Sequence, residues 1–363
     1  MSERSTTANA SAIAAKKKLS SQFFRKGIAI ALFSAVMYGF YSAFLTLGMT
    51  KGVWADWYGE NTVGLSPFVI TFVLGAVGSA VNDTCSAIWA MLYAGVKGKF
   101  GDFIRCLNTT PGRVMILAAL IGGPISSTAY VIGLQMAGSI VIPITALCPA
   151  IGAILGRVLF KQELNKRMML GIAICVIASF MIGSTSISTN AQEGAFLGVC
   201  IAFIAALGWG FEGCVAGYGT SMIDSEIGIT IRQATSGLSN LIILLPIFGM
   251  IAGNVGLSTN LAFKAFTSGP AMIWFAASGL CAFVSYMFWY RGNSMCGAAL
   301  GMACNGTYSF WGPFCCWLVL GVFCGISGWS IPIIAWIAAV LMVFGILVIA
   351  MNPLELLIKK EDK

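Results

Sequence analysis

Ten long apolar stretches constrain this chain more than any other feature. Each is near or above the ~20 residues that an α-helix needs to cross a bilayer, and a helix satisfies its own backbone hydrogen bonds in hydrocarbon. Only 9% of the residues are charged, whereas roughly 25% is usual in a soluble domain. We therefore predict an all-α integral membrane protein with ten transmembrane helices, at residues 27–49, 67–96, 113–134, 138–160, 168–185, 196–218, 229–252, 270–290, 297–324 and 331–351.

Two of these stretches are similar to each other. Residues 27–43 read GIAIALFSAVMYGFYSA and residues 198–214 read GVCIAFIAALGWGFEGC, with six of seventeen positions identical at an offset of 171. Five predicted spans separate the starting points, so the matching helices cross in opposite directions. We therefore predict two inverted five-helix repeats, an arrangement typical of transporters that hold their substrate between the halves near the membrane midplane.

The distribution of basic residues gives a predicted orientation. If the N-terminal tail is cytosolic, 19 of the 21 Lys and Arg residues lie inside, Arg232 among them, and only Lys51 and Lys264 lie outside. Both termini are then cytoplasmic; we expect a bacterial inner membrane, with a eukaryotic organelle as the alternative. The predicted regions are a basic tail (1–26), repeat 1 (27–185), an outer linker (186–195), repeat 2 (196–352) and a second tail (353–363).

Missing residues and motifs limit the chemistry. The chain has no histidine, which excludes histidine-based catalysis and histidine-ligated metal sites. It has no G-x-x-x-x-G-K-[ST] motif, which makes ATP an unexpected energy source. We predict no cofactor, no nucleic-acid partner and no enzymatic activity, and we expect an ion gradient to drive any transport.

Polar and aromatic residues inside the predicted spans form the candidate site. Glu212 is an apparently unpaired carboxylate, and an ionisable group within a membrane usually has a function. Tyr38 and Tyr41 share one helix face, as do their repeat mates Trp209 and Glu212. The predicted substrate-binding residues are Tyr38, Tyr41, Asn82, Tyr130, Trp209, Glu212, Asn240, Tyr286, Trp289 and Asn305, with Glu212 and Asp83 as the predicted proton-coupling residues.

A segment after the fourth predicted span resembles a known family. Residues 156–163 read GRVLFKQE and are followed by Leu170-Gly171-Ile172. This is similar to the EamA-type branch of the drug/metabolite transporter superfamily, in which a glutamate closes the fourth span before a basic turn and a glycine-led fifth span. The resemblance covers about residues 27–352. The second half departs from it, because residues 322–329, VFCGISGW, contain neither a glutamate nor a basic turn.

The resemblance implies a secondary transporter that works by alternating access, with the first four spans of each half lining the site. One carboxylate among aromatic rings favours a small cationic or zwitterionic substrate, such as an amine, amino acid or quaternary ammonium compound. A proton would compete with the substrate for Glu212. A neutral solute such as a sugar, nucleoside or nucleobase is the alternative, and a channel ranks lower. The expected partners are this small molecule and the lipid bilayer, and the chain is expected to be a monomer or a homodimer.

Overall fold

Helices account for the regular secondary structure throughout the part of the chain that the structure describes. The computed structural model describes residues 2–59, 64–161, 165–185, 194–220, 222–296 and 298–350, and it contains no β-strand in these ranges. The predicted second tail (353–363) and most of the predicted linker (186–195) lie outside the described residues.

The described residues of the first half form nine α-helices, several of which share one apolar stretch. A π-helical segment, Val69–Val73, leads into α3, and a second, Ile121–Ser127, joins α5 to α6. Gly138 has a φ of +65°, where a side chain would be strained, and it marks the bend between α6 and α7. The helices are α1 (Ser2–Gly48), α2 (Val53–Trp57), α3 (Leu74–Val96), α4 (Phe100–Leu107), α5 (Thr110–Leu120), α6 (Thr128–Ala137), α7 (Val141–Thr145), α8 (Cys148–Phe160) and α9 (Lys166–Thr185).

The second half repeats this combination of long helices and interrupted ones. The π-helical segment Asn240–Leu244 joins α11 to α12, and another, Trp317–Phe323, follows α16. The helices are α10 (Ala195–Thr220), α11 (Ser225–Ser239), α12 (Leu245–Ile251), α13 (Val255–Thr267), α14 (Gly269–Cys296), α15 (Ala298–Gly306), α16 (Tyr308–Cys316) and α17 (Ile333–Ala350).

Seven helices in the described residues are long and apolar enough to cross a membrane. Two shorter apolar helices, Cys148–Leu159 and Ile333–Ile349, also coincide with predicted spans. The prediction of an all-α membrane protein is confirmed at this level, and the count of ten stays a prediction. The seven are Gln22–Gly48, Val69–Val96, Thr110–Thr145, Ala195–Ala216, Ser225–Ile251, Gly269–Cys296 and Gly301–Phe323.

The helix continues across the predicted boundary between the N-terminal tail and the first span. We predicted a polar tail up to residue 26, but α1 runs without a break from Ser2 to Gly48. Within the described side chains of this helix, the candidate membrane span covers Gln22–Gly48. The boundary at residue 26 therefore marks a change in composition within one helix.

Helices from the two halves of the chain pack against each other. Helix α1 packs on α14 and α16, whereas α10 packs on α6 and α8. Helix α3 packs on α11, and α9 packs on α17. The two similar stretches meet where Tyr38 of α1 contacts Trp209 of α10.

Candidate binding site between the two halves

A small cavity lies where helices of both halves meet. Its volume is about 30 Å³, which is room for about two water molecules. Five of the predicted binding residues line it: Tyr38, Trp209, Tyr286, Trp289 and Asn305. The remaining lining residues are Cys148, Pro149, Ser285, Met302 and Tyr308.

Five of the ten residues that line the cavity are aromatic. The ring of Tyr38 stacks on that of Tyr308 with 4.1 Å between centroids, and it meets Trp209 edge-on at 6.1 Å. Tyr41 packs against Tyr38 at 5.3 Å, and Tyr130 packs against Trp209 at 5.3 Å. Tyr41 and Tyr130 therefore support the lining rings from behind without lining the cavity themselves. Such packing fixes the ring orientations and presents π faces that suit a cation.

One wall of the cavity carries an unpaired hydrogen-bond donor. The indole Nε1 of Trp289 is buried and has no hydrogen-bond partner within the described residues. Asn305, by contrast, donates through Nδ2 to Ser34 Oγ at 2.8 Å, and Ser285 donates to the Ser34 carbonyl oxygen at 2.8 Å. Because buried polar groups are rarely left unpaired, the Trp289 N–H indicates space for a hydrogen-bonding water or ligand.

Glu212 is part of a buried ion pair. Arg232 donates from Nε to Glu212 Oε1 at 2.8 Å and from Nη2 to Oε2 at 3.2 Å, and each side chain is only 1% exposed. The expectation that Glu212 is unpaired is therefore wrong. Arg232, which the charge count placed with the basic residues of the inner side, is the buried partner of this carboxylate. Removing two opposite charges from water together costs far less than burying one of them.

The ion pair is linked to the cavity through Tyr286. Arg232 Nη2 donates to Tyr286 Oη at 3.0 Å, and its guanidinium carbon lies 3.9 Å from the centre of the Tyr286 ring. Tyr290 Oη lies 3.5 Å from Glu212 Oε1. A cavity-lining tyrosine thus contacts the guanidinium directly, so movement of that ring is coupled to the ion pair.

The π-helical segment around Pro124 supplies a further acceptor. The carbonyl oxygen of Gly122 accepts from Trp209 Nε1 at 2.9 Å and from Arg232 Nη2 at 3.3 Å. A Cβ atom on Gly122 would lie 1.8 Å from Glu212 Oε2, so only glycine allows the ion pair to approach this close to the backbone. The sequence analysis did not identify Gly122, because its role depends on this approach between helices.

Asp83 lies in a separate cluster of neutral polar groups. Its Oδ2 accepts from Ser236 Oγ at 2.5 Å and from Asn240 Nδ2 at 2.8 Å, and Asn82 Nδ2 lies 3.4 Å from its Oδ1. Asn82 Oδ1 in turn accepts from Ser278 Oγ at 2.6 Å. The predicted site residues Asn82 and Asn240 therefore surround Asp83 and do not line the cavity.

Helix α11 connects the two carboxylates. Arg232 and Ser236 of α11 and Asn240, the first residue of the π-helical segment that continues it, are spaced by four residues and share one face. Arg232 also interacts electrostatically with Asp83. The described interior therefore contains two carboxylates and one guanidinium in the same region. The spacing of polar residues along α11 was a signal that could have identified Arg232 and Ser236 from the sequence.

A third polar cluster lies at the ends of α3, α11 and α14. Lys99 Nζ contacts Asp224 Oδ2 at 3.0 Å and Glu226 Oε2 at 2.7 Å, and Arg291 Nη1 lies 3.9 Å from Glu226 Oε1. Partial burial alone would raise the pKa of Asp224, but the hydrogen bond and charge of Lys99, together with backbone hydrogen bonds from Glu226 and Ile227, outweigh burial and lower this pKa. Burial alone would lower the pKa of Lys99, but its hydrogen bonds to both carboxylates raise it. The cluster joins Lys99 of the first half to three residues of the second.

No group of three or more His, Cys, Asp or Glu side chains that could hold a metal ion occurs among the described residues. The fold and the long apolar helices define an all-α integral membrane protein, and the residues brought together in its interior are aromatic, amide and charged side chains.

Comparison with known proteins adds limited detail. No protein-family model matches the chain. Protein LicB of Haemophilus influenzae (strain ATCC 51907 / DSM 11121 / KW20 / Rd) is 26% identical over 199 residues, which are 54% of this chain and 63% of LicB. The chain therefore matches less than two thirds of the length of this relative.

A solved structure shares the fold. It is described as "Crystal structure of protein", and it superposes with a TM-score of 0.50 at 17% sequence identity. The match covers 93% of this chain and 99% of the other. At this level of identity the likeness concerns the arrangement of helices alone.

Proposed function

We propose that this protein is a secondary active transporter that moves a small organic cation or zwitterion across a membrane by alternating access, with proton coupling. The observation that carries the proposal is the small cavity lined by aromatic rings of both halves, beside a buried region with more carboxylates than cations. Amines, amino acids and quaternary ammonium compounds have the positive charge that both features suit.

The packing of the helices supports an inverted repeat. The contacts of α1 with α14 and α16 correspond to those of α10 with α6 and α8 when the two halves are exchanged. Tyr38 and Trp209, which occupy equivalent positions in the duplicated stretches, meet at 6.1 Å. A substrate site between two such halves is what alternating access requires, because each half can move against the other around it.

The buried charges support a cationic substrate and coupling to protons. If Glu212, Asp83 and Arg232 are all ionised, the region carries one excess negative charge. An isolated charge in this environment is costly, so a proton or a cation is expected to neutralise it. Competition between these two for one position is sufficient to couple their fluxes.

Asp83 is better placed than Glu212 to exchange that proton. Glu212 is held by two hydrogen bonds from Arg232, whereas the hydrogen bonds to Asp83 come from neutral donors, Ser236 and Asn240. We assign Glu212 to holding Arg232 in place and Asp83 to releasing and taking up the proton. This assignment keeps both residues in the coupling site but gives them different roles.

The described conformation is closed around the cavity. A volume of about 30 Å³ is too small for any of the proposed substrates, so binding requires the lining side chains or helices to move apart. We propose that this is the occluded form between two open ones. A channel is less consistent with this closed cavity than a transporter is.

Transport in proteoliposomes tests the proposal. The purified protein is reconstituted and uptake of radiolabelled amines and quaternary ammonium compounds is measured with and without a pH gradient. We expect saturable uptake that the gradient accelerates, and at least tenfold less uptake with Trp209→Ala. Trp317→Ala, at a 39% exposed position outside the cavity, serves as the matched control. Gradient-independent ionic current in planar bilayers would instead indicate a channel.

A neutral polar substrate is the second candidate, and a specific observation favours it. The unpaired Trp289 N–H and the amide of Asn305 both line the cavity and could hydrogen-bond a sugar, nucleoside or nucleobase. Uptake of such a solute, with no competition from amines, would favour this candidate. We further propose a bacterial inner membrane location with both termini in the cytoplasm, and a monomer or homodimer.

A further inference from the structure

Met302 in α15 lines the cavity, and the proposed transport cycle gives it no role. Its side chain lies at the cavity together with Pro149 of α8 and Trp289 of α14. Half of the lining residues are aromatic, and Met302 is the one with a long, unbranched apolar side chain.

The end of the Met302 side chain occupies space that two glycines leave free. A Cβ atom on Gly213 would lie 2.6 Å from Met302 Cε and 3.9 Å from Trp289 Cζ2. A Cβ atom on Gly152 would lie 3.5 Å from the same methyl group. The methyl group therefore lies between α8, α10 and α14, next to the backbone of Gly152 and Gly213.

The other parts of the wall are less able to move. Tyr38 is stacked on Tyr308 at 4.1 Å, and the indole N–H of Trp209 is bonded to the Gly122 carbonyl at 2.9 Å. Methionine has three rotatable side-chain bonds and a polarisable sulfur, so it adapts to a ligand at small cost. Displacing Met302 is therefore the easiest way to enlarge this cavity.

We propose that Met302 determines substrate specificity by setting the largest organic cation that the cavity accepts. Small cations fit when its methyl group stays over Gly213. Larger ones require the side chain to swing away, and the loss of its contacts weakens their binding. The inference rests on the proposed function, because it concerns the same cavity and a cationic ligand.

Two variants change the available space in opposite directions. Met302→Ala removes the thioether and enlarges the cavity. Gly213→Ala adds a methyl group that pushes the flexible end of Met302 towards the cavity, and the chain can absorb the 2.6 Å approach because a side-chain end, not backbone, must shift. Met169→Ala is the matched control, since Met169 is 60% exposed on α9.

The test is the binding of tetramethylammonium and tetraethylammonium to the full-length protein in lipid nanodiscs, measured by tryptophan fluorescence. We expect Met302→Ala to raise the affinity ratio of tetraethylammonium to tetramethylammonium at least tenfold, the scale at which a few methylene groups are discriminated in a pocket. Gly213→Ala should lower this ratio, and Met169→Ala should leave it at the wild-type value.

The outcomes separate the inference from the proposed function. If the wild type binds tetramethylammonium and the ratio is the same in folded Met302→Ala and Gly213→Ala proteins, the role of Met302 is wrong and the proposed function stands. If neither cation binds to the wild type or to either variant, the cationic substrate class is wrong, and the role of Met302 with it. Size exclusion and thermal unfolding establish that each variant is folded.

Discussion

The guanidinium of Arg232 and the carboxylate of Glu212 form a two-point ion pair in the interior of the bundle, with distances of 2.8 and 3.2 Å. The two residues lie on neighbouring helices, α10 and α11, twenty positions apart in the chain. Since both are buried, the pair is sensitive to the loss of either member. Removing one partner leaves an uncompensated charge, whereas removing both does not.

Glu212→Gln is expected to destabilise the protein. Arg232 would lose its direct ion-pair partner while remaining buried, and breaking a buried pair in this way costs about 3–5 kcal/mol. Thermal unfolding of the purified protein should show a clearly lower midpoint. The double variant Glu212→Gln/Arg232→Met removes both charges and should recover much of the loss. A loss in the double variant equal to the sum of the losses in Glu212→Gln and Arg232→Met alone would mean that the two residues are not coupled.

Asp83→Asn is expected to leave the protein folded and to change the pH dependence of cation binding. In the wild type, protons compete with the cation, so its affinity should fall as the pH falls. Asparagine keeps an acceptor for Ser236 and Asn240 but removes the excess negative charge. We expect at least tenfold weaker cation binding that no longer varies with pH, measured by titration at several pH values.

The control for this experiment is Asp102→Asn, the same chemical change at an exposed position on α4. It should retain the wild-type affinity and the wild-type pH dependence. A pH-dependent affinity that persists in Asp83→Asn would assign the proton to another group.

Gly122→Ala is expected to be destabilising as well. The new Cβ would lie 1.8 Å from Glu212 Oε2 and 2.3 Å from its Cδ, and overpacking of this kind costs about 1–3 kcal/mol. Gly95→Ala on α3 is the matched control, because a Cβ there meets nothing within 4 Å. It should be neutral or slightly stabilising, since alanine favours a helix by up to about 1 kcal/mol. The unfolding midpoints of the two variants give the comparison.

The contact between Lys99 and Asp224 is expected to contribute stability in a defined pH window. Because the pKa of Asp224 is lowered in the folded protein, its contribution to stability is complete above the ordinary Asp pKa of about 3.9. This contribution is lost as the pH falls through the lowered pKa of Asp224. Because the pKa of Lys99 is raised in the folded protein, its contribution to stability is complete below the ordinary Lys pKa of about 10.4. This contribution is lost as the pH rises through the raised pKa of Lys99.

The difference in unfolding midpoint between wild type and Lys99→Gln measures this contribution. We expect it to be largest between those two ordinary values and to shrink on both sides. Its size should be about 0.2–1 kcal/mol, because both side chains are partly exposed and solvent screens the pair. The neighbouring Glu226, Arg291 and Tyr93 belong to the same cluster, so Arg291→Gln provides a second variant. A difference that does not vary with pH would exclude the ionic contact as its origin.

Much of the helical organisation could be predicted from the sequence. Apolar stretches longer than about 20 residues have few alternatives to a membrane helix, and each of the seven candidate membrane spans found in the described residues overlaps a predicted span. The bends were partly predictable too, since Pro124 lies in the π-helical segment Ile121–Ser127. The aromatic residues Tyr38, Trp209, Tyr286 and Trp289 were predicted together and do line one cavity.

The electrostatic partners could not be predicted in the same way. Arg232 was counted with the basic residues of the inner side, because the count uses the position of a residue along the chain and ignores the direction in which its side chain points. Whether an arginine near the end of a span faces water or a buried carboxylate depends on which helix packs beside it. Gly122, Met302 and Ser236 were missed for a related reason, because each matters only through a neighbour from a different helix.

The sequence by itself determined that the chain is helical and apolar enough for a membrane, since backbone hydrogen bonding and hydrophobicity act locally along each stretch. Only the tertiary structure decided that Glu212 is paired with Arg232, that Asp83 is surrounded by neutral donors, and that aromatic rings from both halves enclose one cavity. The physical reason is that charge pairing and cavity shape depend on distances of a few ångströms between helices that are far apart in the chain.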